Sequence, residues 1–84
     1  MSQKVKMYTI STCIHCKKAK KLMDDCHVKY EFTDVDLLSG REKETIMDEV
    51  KKLNSQCTFP TIVIGGNVIV GYKEDEIKDA LGIR

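Results

Sequence analysis

Eighty-four residues weighing 9.6 kDa make one small domain with a sufficient but thin core, expected to span residues 1–84. Hydrophobic residues at 42% and charged residues at 32% exclude a disordered chain, and 14 basic against 13 acidic side chains leave a net charge of only +1. That balance lacks the basic excess of a general nucleic-acid binder, so no nucleic-acid partner is expected. No stretch approaches the ~20 apolar residues of a membrane span, and Met1-Ser2-Gln3-Lys4-Val5-Lys6 lacks the apolar run of a secretory signal. The expected setting is therefore cytoplasmic, without a membrane partner.

In chain order, Val5 to Ile10 is rich in β-branched and large residues and reads as a strand. After a Ser11-Thr12 turn, Ala19, Leu22, Met23 and Cys26 recur at i, i+3, i+4 and i+7, which is one face of a helix. Carried backwards, that stripe puts Cys16 on the buried face and Cys13 at the helix's first turn. Lys17, Lys18, Lys20 and Lys21 crowd the same helix and read as its solvated face. Cys26 reads as a small core residue, with His27 at the turn that follows. Val28, Tyr30 and Phe32 then alternate with Lys29, Glu31 and Thr33, a second strand with one face packed.

Ser39-Gly40-Arg41-Glu42 has the Ser-x-x-Glu spacing of a capping box. It opens a helix with Ile46, Met47, Val50 and Leu53 on its apolar side and an Asp48–Lys52 pair on its wet side. Pro60, the single proline, precedes the apolar run Thr61-Ile62-Val63-Ile64. Gly65-Gly66-Asn67 separates that run from Val68-Ile69-Val70, a hairpin signal. Gly71-Tyr72 leads into a last helix with an acidic start at Glu74-Asp75-Glu76, an apolar stripe of Ile77, Ala80 and Leu81, and Gly82 as terminator. The order βαβ, then α, then ββα closes most simply as a four-stranded mixed sheet flanked by three helices.

Four cysteines are present, but only Cys13-Ile14-His15-Cys16 has a tight spacing. A zinc ribbon needs a second such pair or a spaced histidine pair, and a c-type haem site needs histidine where Lys17 stands. Neither a zinc ribbon nor a haem site is expected; the commonest use of a lone Cys-x-x-Cys is a reversible disulfide, with metal binding as the other use its context has to decide against. Its place at a strand-to-helix junction matters. First-turn N–H groups lack intrahelical partners and the dipole is positive there, so a sulfur is held as the nucleophilic thiolate. Cys13, outermost, attacks a substrate disulfide; Cys16, less exposed, then attacks Cys13 and frees the reduced substrate. His15 either adds positive charge beside Cys13 or is an exposed loop residue with little effect.

The run Tyr8-Thr9-Ile10-Ser11-Thr12-Cys13-Ile14-His15-Cys16, then Thr58-Phe59-Pro60, then Gly71-Tyr72 before an acidic helix resembles the glutaredoxin and thioredoxin superfamily over essentially the whole chain. Short prokaryotic glutaredoxin-like proteins, including the thioredoxin-like hydrogen donors of ribonucleotide reductase, are the most similar. The resemblance implies a thioredoxin-like fold and a monomeric protein-disulfide reductase with no bound cofactor and a redox-active Cys13–Cys16 disulfide. It implies a cis Pro60 against the dithiol, and substrate contacts from Ile14, His15, Thr58, Phe59, Pro60, Gly71 and Tyr72.

Where glutathione-using members carry lysine three residues before the first cysteine, this chain has Ile10. Where they carry Pro-Tyr it has Ile14-His15, and where they carry Gly-Gly-Cys-Asp-Asp it has Val70-Gly71-Tyr72-Lys73-Glu74. Losing the lysine removes a charge-assisted hydrogen bond of roughly 1.5–3 kcal/mol. Weak glutathione use is therefore expected, with reduction by a thioredoxin-reductase-like flavoprotein or a ferredoxin-linked reductase. Cys57, beside Thr58-Phe59-Pro60, is a third redox thiol, a metal or iron–sulfur ligand with Cys13 and Cys16, or a small neutral loop residue. The competing class is accordingly an iron–sulfur or metal carrier using the same thiols.

Overall fold

A computed structural model describes residues 4–56 and 58–82. The elements are β1 (Val5–Thr9), α1 (Ile14–Asp25), β2 (Glu31–Asp34), a 3-10 turn (Val35–Leu37), α2 (Gly40–Leu53), β3 (Thr61–Ile64), β4 (Asn67–Val70) and α3 (Glu74–Leu81). The strands form one sheet in the order β2-β1-β3-β4. β2 lies parallel to β1, joined by the α1 crossover, while β3 and β4 run antiparallel. The four-stranded mixed sheet is the one the element order implied, and the fold is thioredoxin-like, as the resemblance implied.

Alternation along β1 decides which layer each residue enters. Val5 and Met7 join Ala19, Leu22 and Met23 of α1, Ile62 and Ile64 of β3, Ile69 of β4 and Ile77 of α3 on one face. Tyr8 turns to the other face, against Val35 and Val50, with Ile46, Met47, Leu53 and Phe59 around them. Met7, Met23, Ile62, Ile64 and Ile77 are fully buried, and each contributes about 1.5–3 kcal/mol of hydrophobic stabilisation. Two thin layers thus cover the two faces of the sheet. Among the described residues, no helix is long and apolar enough to cross a membrane.

Three local expectations are corrected. The second strand begins at Glu31 rather than Val28, and Phe32 is 49% exposed instead of packed. β2 is an edge strand, so α1 covers its inner neighbours and leaves Phe32 at the rim; Val28 and Tyr30 still pack on the core. Ser39 is the N-cap of α2, but its side chain makes no capping hydrogen bond. The chain enters that helix through Gly40 at φ +61°, a left-handed turn in which the reciprocal Ser39–Glu42 geometry does not form. The first strand ends at Thr9, leaving Ile10 to start the site loop.

Candidate active site

Two backbone turns carry the site. The first follows β1, where the Cys13 N–H donates to Ile10 O at 3.0 Å and closes the turn that launches α1. Asp36, in the 3-10 turn, grips this loop from the side. It accepts the Ser11 N–H at 2.9 Å and the Ser11 hydroxyl at 2.5 Å. Those two donors hold its carboxyl below the ordinary carboxylate range.

Cys13 is the N-cap of α1 rather than a residue of its first turn. Its carbonyl accepts the first helical hydrogen bond, from Lys17 at 3.1 Å. Its sulfur makes no capping hydrogen bond, and the main-chain N–H of Cys16, at the open end of the helix, is the largest influence on it. That donor, with the Cys16 thiol and the His15 N–H, lowers the Cys13 pKa against a smaller opposing effect of burial. Cys16 lies on the buried stripe with no exposed surface, and the Ile10 N–H donates to its sulfur at 3.4 Å. Burial pushes its pKa up to about 11; Cys13 adds to the rise, while the Ile10 N–H and the Lys20 ammonium oppose it. Both are free thiols, as is half-buried Cys26.

His15 therefore acts through its main chain; its imidazole is exposed and is not among the groups shifting Cys13. Ile14 presents its side chain beside the thiol, 62% exposed.

The second turn holds Thr58, Phe59 and Pro60, and the Phe59–Pro60 bond is cis. Tyr8 pairs with Thr61, so the same register carried further sets Pro60 beside Thr9 and Phe59 beside Ile10. Phe59 and Ile10 pack on the same apolar cluster. The carbonyl of Pro60 accepts the Gly71 N–H at 2.8 Å, which ties the hairpin's far end to this loop. Gly71 has φ +88° with open space around its missing side chain, so backbone conformation is what selects glycine there. Tyr72 diverges from its neighbours. Its ring lines a groove between α1 and α3 with Leu22 and Cys26, and its hydroxyl donates to Glu74 Oε1 at 3.1 Å.

Sequence reasoning missed three supports. Asn54 is buried, and its Nδ2 donates to Thr58 Oγ1 at 2.9 Å and Thr58 O at 3.2 Å, setting the loop before the proline. Asp36 holds the Ser11 loop, and Asp34 binds Lys20. An asparagine just past the α2 stripe was a usable signal; the two aspartates depend on strand register. Lys20 itself leaves the solvated face assigned to it, being only 21% exposed at its side chain. Among the described residues no set of three His, Cys, Asp or Glu side chains is grouped to hold a metal ion. Cys57 lies outside the described residues.

The chain matches known proteins over most of its length. The glutaredoxin family model aligns with residues 5–69. A glutaredoxin-like 8.6 kDa protein of the rubredoxin operon of Clostridium pasteurianum is 33% identical over 73 residues, covering 87% of this chain and 91% of that one. The crystal structure of methanoredoxin from Methanosarcina acetivorans superposes with a TM-score of 0.90 at 43% identity, covering 95% of this chain and 85% of that one. The glutaredoxin of Methanosarcina mazei gives 0.87 at 46% identity, over 95% and 79%.

Proposed function

Since the chain belongs to the glutaredoxin family and is a thiol–disulfide oxidoreductase, we propose that Cys13 is its attacking sulfur and Cys16 its resolving sulfur, acting on protein disulfides. The observation that carries this reading is the opposite treatment of two sulfurs one helical turn apart. Main-chain donors lower the pKa of Cys13, and burial raises that of Cys16. A thiolate is the nucleophile, so the outer sulfur attacks first and forms a mixed disulfide with the substrate. The inner sulfur is already aligned along the same helix, and its attack on Cys13 expels the reduced substrate.

The exposed Ile14 side chain and the Thr58–Phe59–Pro60 loop supply the surface that meets an incoming polypeptide, with the backbone beside Pro60 as its pairing edge. The returning reductant in this reading is a protein, a thioredoxin-reductase-like flavoprotein or a ferredoxin-linked enzyme, and the working form is a cytoplasmic monomer. Glutathione is a poor reductant because Ile10 brings no charge to the site and instead packs on the apolar cluster around Tyr8. Glu74, in the segment that stands where glutathione-using members carry Gly-Gly-Cys-Asp-Asp, is already engaged by the Tyr72 hydroxyl and by Lys78 at 3.1 Å. Stopped-flow reduction of the oxidised protein tests this: rapid turnover with a flavoprotein reductase and slow turnover with glutathione are expected. Rapid glutathione-coupled cycling would overturn the choice of reductant.

A further inference from the structure

Cys16 is sealed from solvent, yet in the mechanism above it must give up a proton to finish the exchange. Four residues on, one turn along the same helix, stands Lys20. Its neighbours Lys17, Lys18 and Lys21 are exposed, but Lys20 is folded down onto the sheet. Its Nζ lies 3.1 Å from Asp34 Oδ1 and 3.9 Å from the centroid of the Phe32 ring. Asp34 is itself fixed, because the hydroxyl of buried Thr9, its register partner on β1, donates to the same Oδ1 at 2.5 Å. Asp34 and Phe32 of β2, with Thr9 of β1 behind Asp34, therefore hold one ammonium in place between α1 and the sheet.

We propose that Lys20, locked by Asp34 and Phe32, is a positioning residue of the resolving step, its fixed charge stabilising the thiolate that forms on Cys16. This rests on the reading of Cys16 as the resolving sulfur. The groups facing Cys16 are the Ile10 N–H from the end of β1, the Cys13 sulfur from the N-cap and Lys20 from the next turn. Asp34 from β2 faces Lys20 and sets where that charge sits. Of these, Lys20 alone brings a positive charge, shared with Asp34, and after the Ile10 N–H it opposes the effect of burial on the thiol. In the step itself, the Cys16 sulfur donates its electron pair to Cys13 Sγ, and the bond between Cys13 and the substrate sulfur breaks. The substrate sulfur leaves with that pair. It takes up a proton matching the one Cys16 lost, so the substrate is reduced by two electrons and the dithiol becomes a disulfide.

Rapid mixing of the reduced protein with dithiobis(nitrobenzoate) separates the two steps. Attack by Cys13 releases one thionitrobenzoate, and resolution by Cys16 releases a second. In Lys20→Met the first phase should stay within about twofold, while the second slows about tenfold at neutral pH and its pH midpoint rises by about one unit. Lys20→Gln, polar but uncharged, should follow Lys20→Met, and Lys20→Arg should restore both the rate and the midpoint. An unchanged second phase in Lys20→Met overturns the proposal. So does equal slowing of both phases without rescue by arginine, which marks a structural tie between α1 and β2. Failure of the unmutated protein to release the second equivalent would instead overturn the resolving role of Cys16.

Discussion

One helix bears a cysteine at each end, and the fold makes different things of them. Cys13 is the N-cap of α1 and Cys26 its C-cap. At the first end, N–H groups of His15 and Cys16 have no partner within the helix and lower the pKa of the Cys13 thiol. At the last end the helix presents carbonyls, and these are taken by the chain as it leaves. The N–H groups of Cys26, His27 and Val28 donate to Leu22, Asp24 and Met23. No free donor is left for a sulfur there, and the Cys26 side chain packs on the core with Val28 and Tyr72. Helix polarity, rather than the identity of the residue, separates a reactive thiol from a packing one.

The sharpest way to break that contrast is to remove each sulfur in turn. Cys13→Ser should abolish reduction of insulin disulfides, while Cys26→Ser should leave the turnover rate unchanged; comparable losses would erase the distinction. Met23, fully buried between the two ends, tests whether one core supports both. Met23→Ala should cost about 2–5 kcal/mol in chemical denaturation.

The third test uses pH. Cys16 is a thiol in the fold until about pH 11 but ionises near ~8.5 when unfolded. Its contribution to stability is therefore complete below about pH 8.5 and is lost as pH rises toward 11. Cys13 has the reverse sign: its lowered pKa contributes above the unfolded value, and that contribution is lost as pH falls through the folded one. The stability of the reduced protein to denaturant should thus fall between pH 9 and 11, and Cys16→Ala should make that decline shallower, leaving the share of Tyr8, Tyr30 and Tyr72, whose pKa values burial also raises. The smallest effect concerns the loop ahead of the helix. Ile10→Lys should raise glutathione-dependent turnover about tenfold, the worth of one charge-assisted hydrogen bond.

Much of this was legible in the sequence because it rests on local periodicity. The α1 stripe placed Cys16 inside and Cys13 at the helix start, and the hairpin glycines marked β3 and β4. What was not legible depends on pairing between distant segments. Lys20 reads as one more solvated lysine until the parallel register sets Asp34 opposite Thr9, beneath it. Phe32 reads as core because alternation reveals a face but not whether the strand lies at an edge. Ser39-x-x-Glu42 has the letters of a capping box, but the backbone at Gly40 sends the chain in at another angle. Asp36 gave no signal, since its partner Ser11 lies 25 residues earlier.

The central claim is that the fold gives two neighbouring sulfurs opposite acidities. Alkylation of the reduced protein by iodoacetamide across pH, with each cysteine quantified by mass spectrometry, measures that directly. Cys13 is expected to react with a midpoint below the ordinary thiol range, with Cys16 unmodified until the pH approaches 11. Labelling of Cys16 first, or a common midpoint for both, would contradict it.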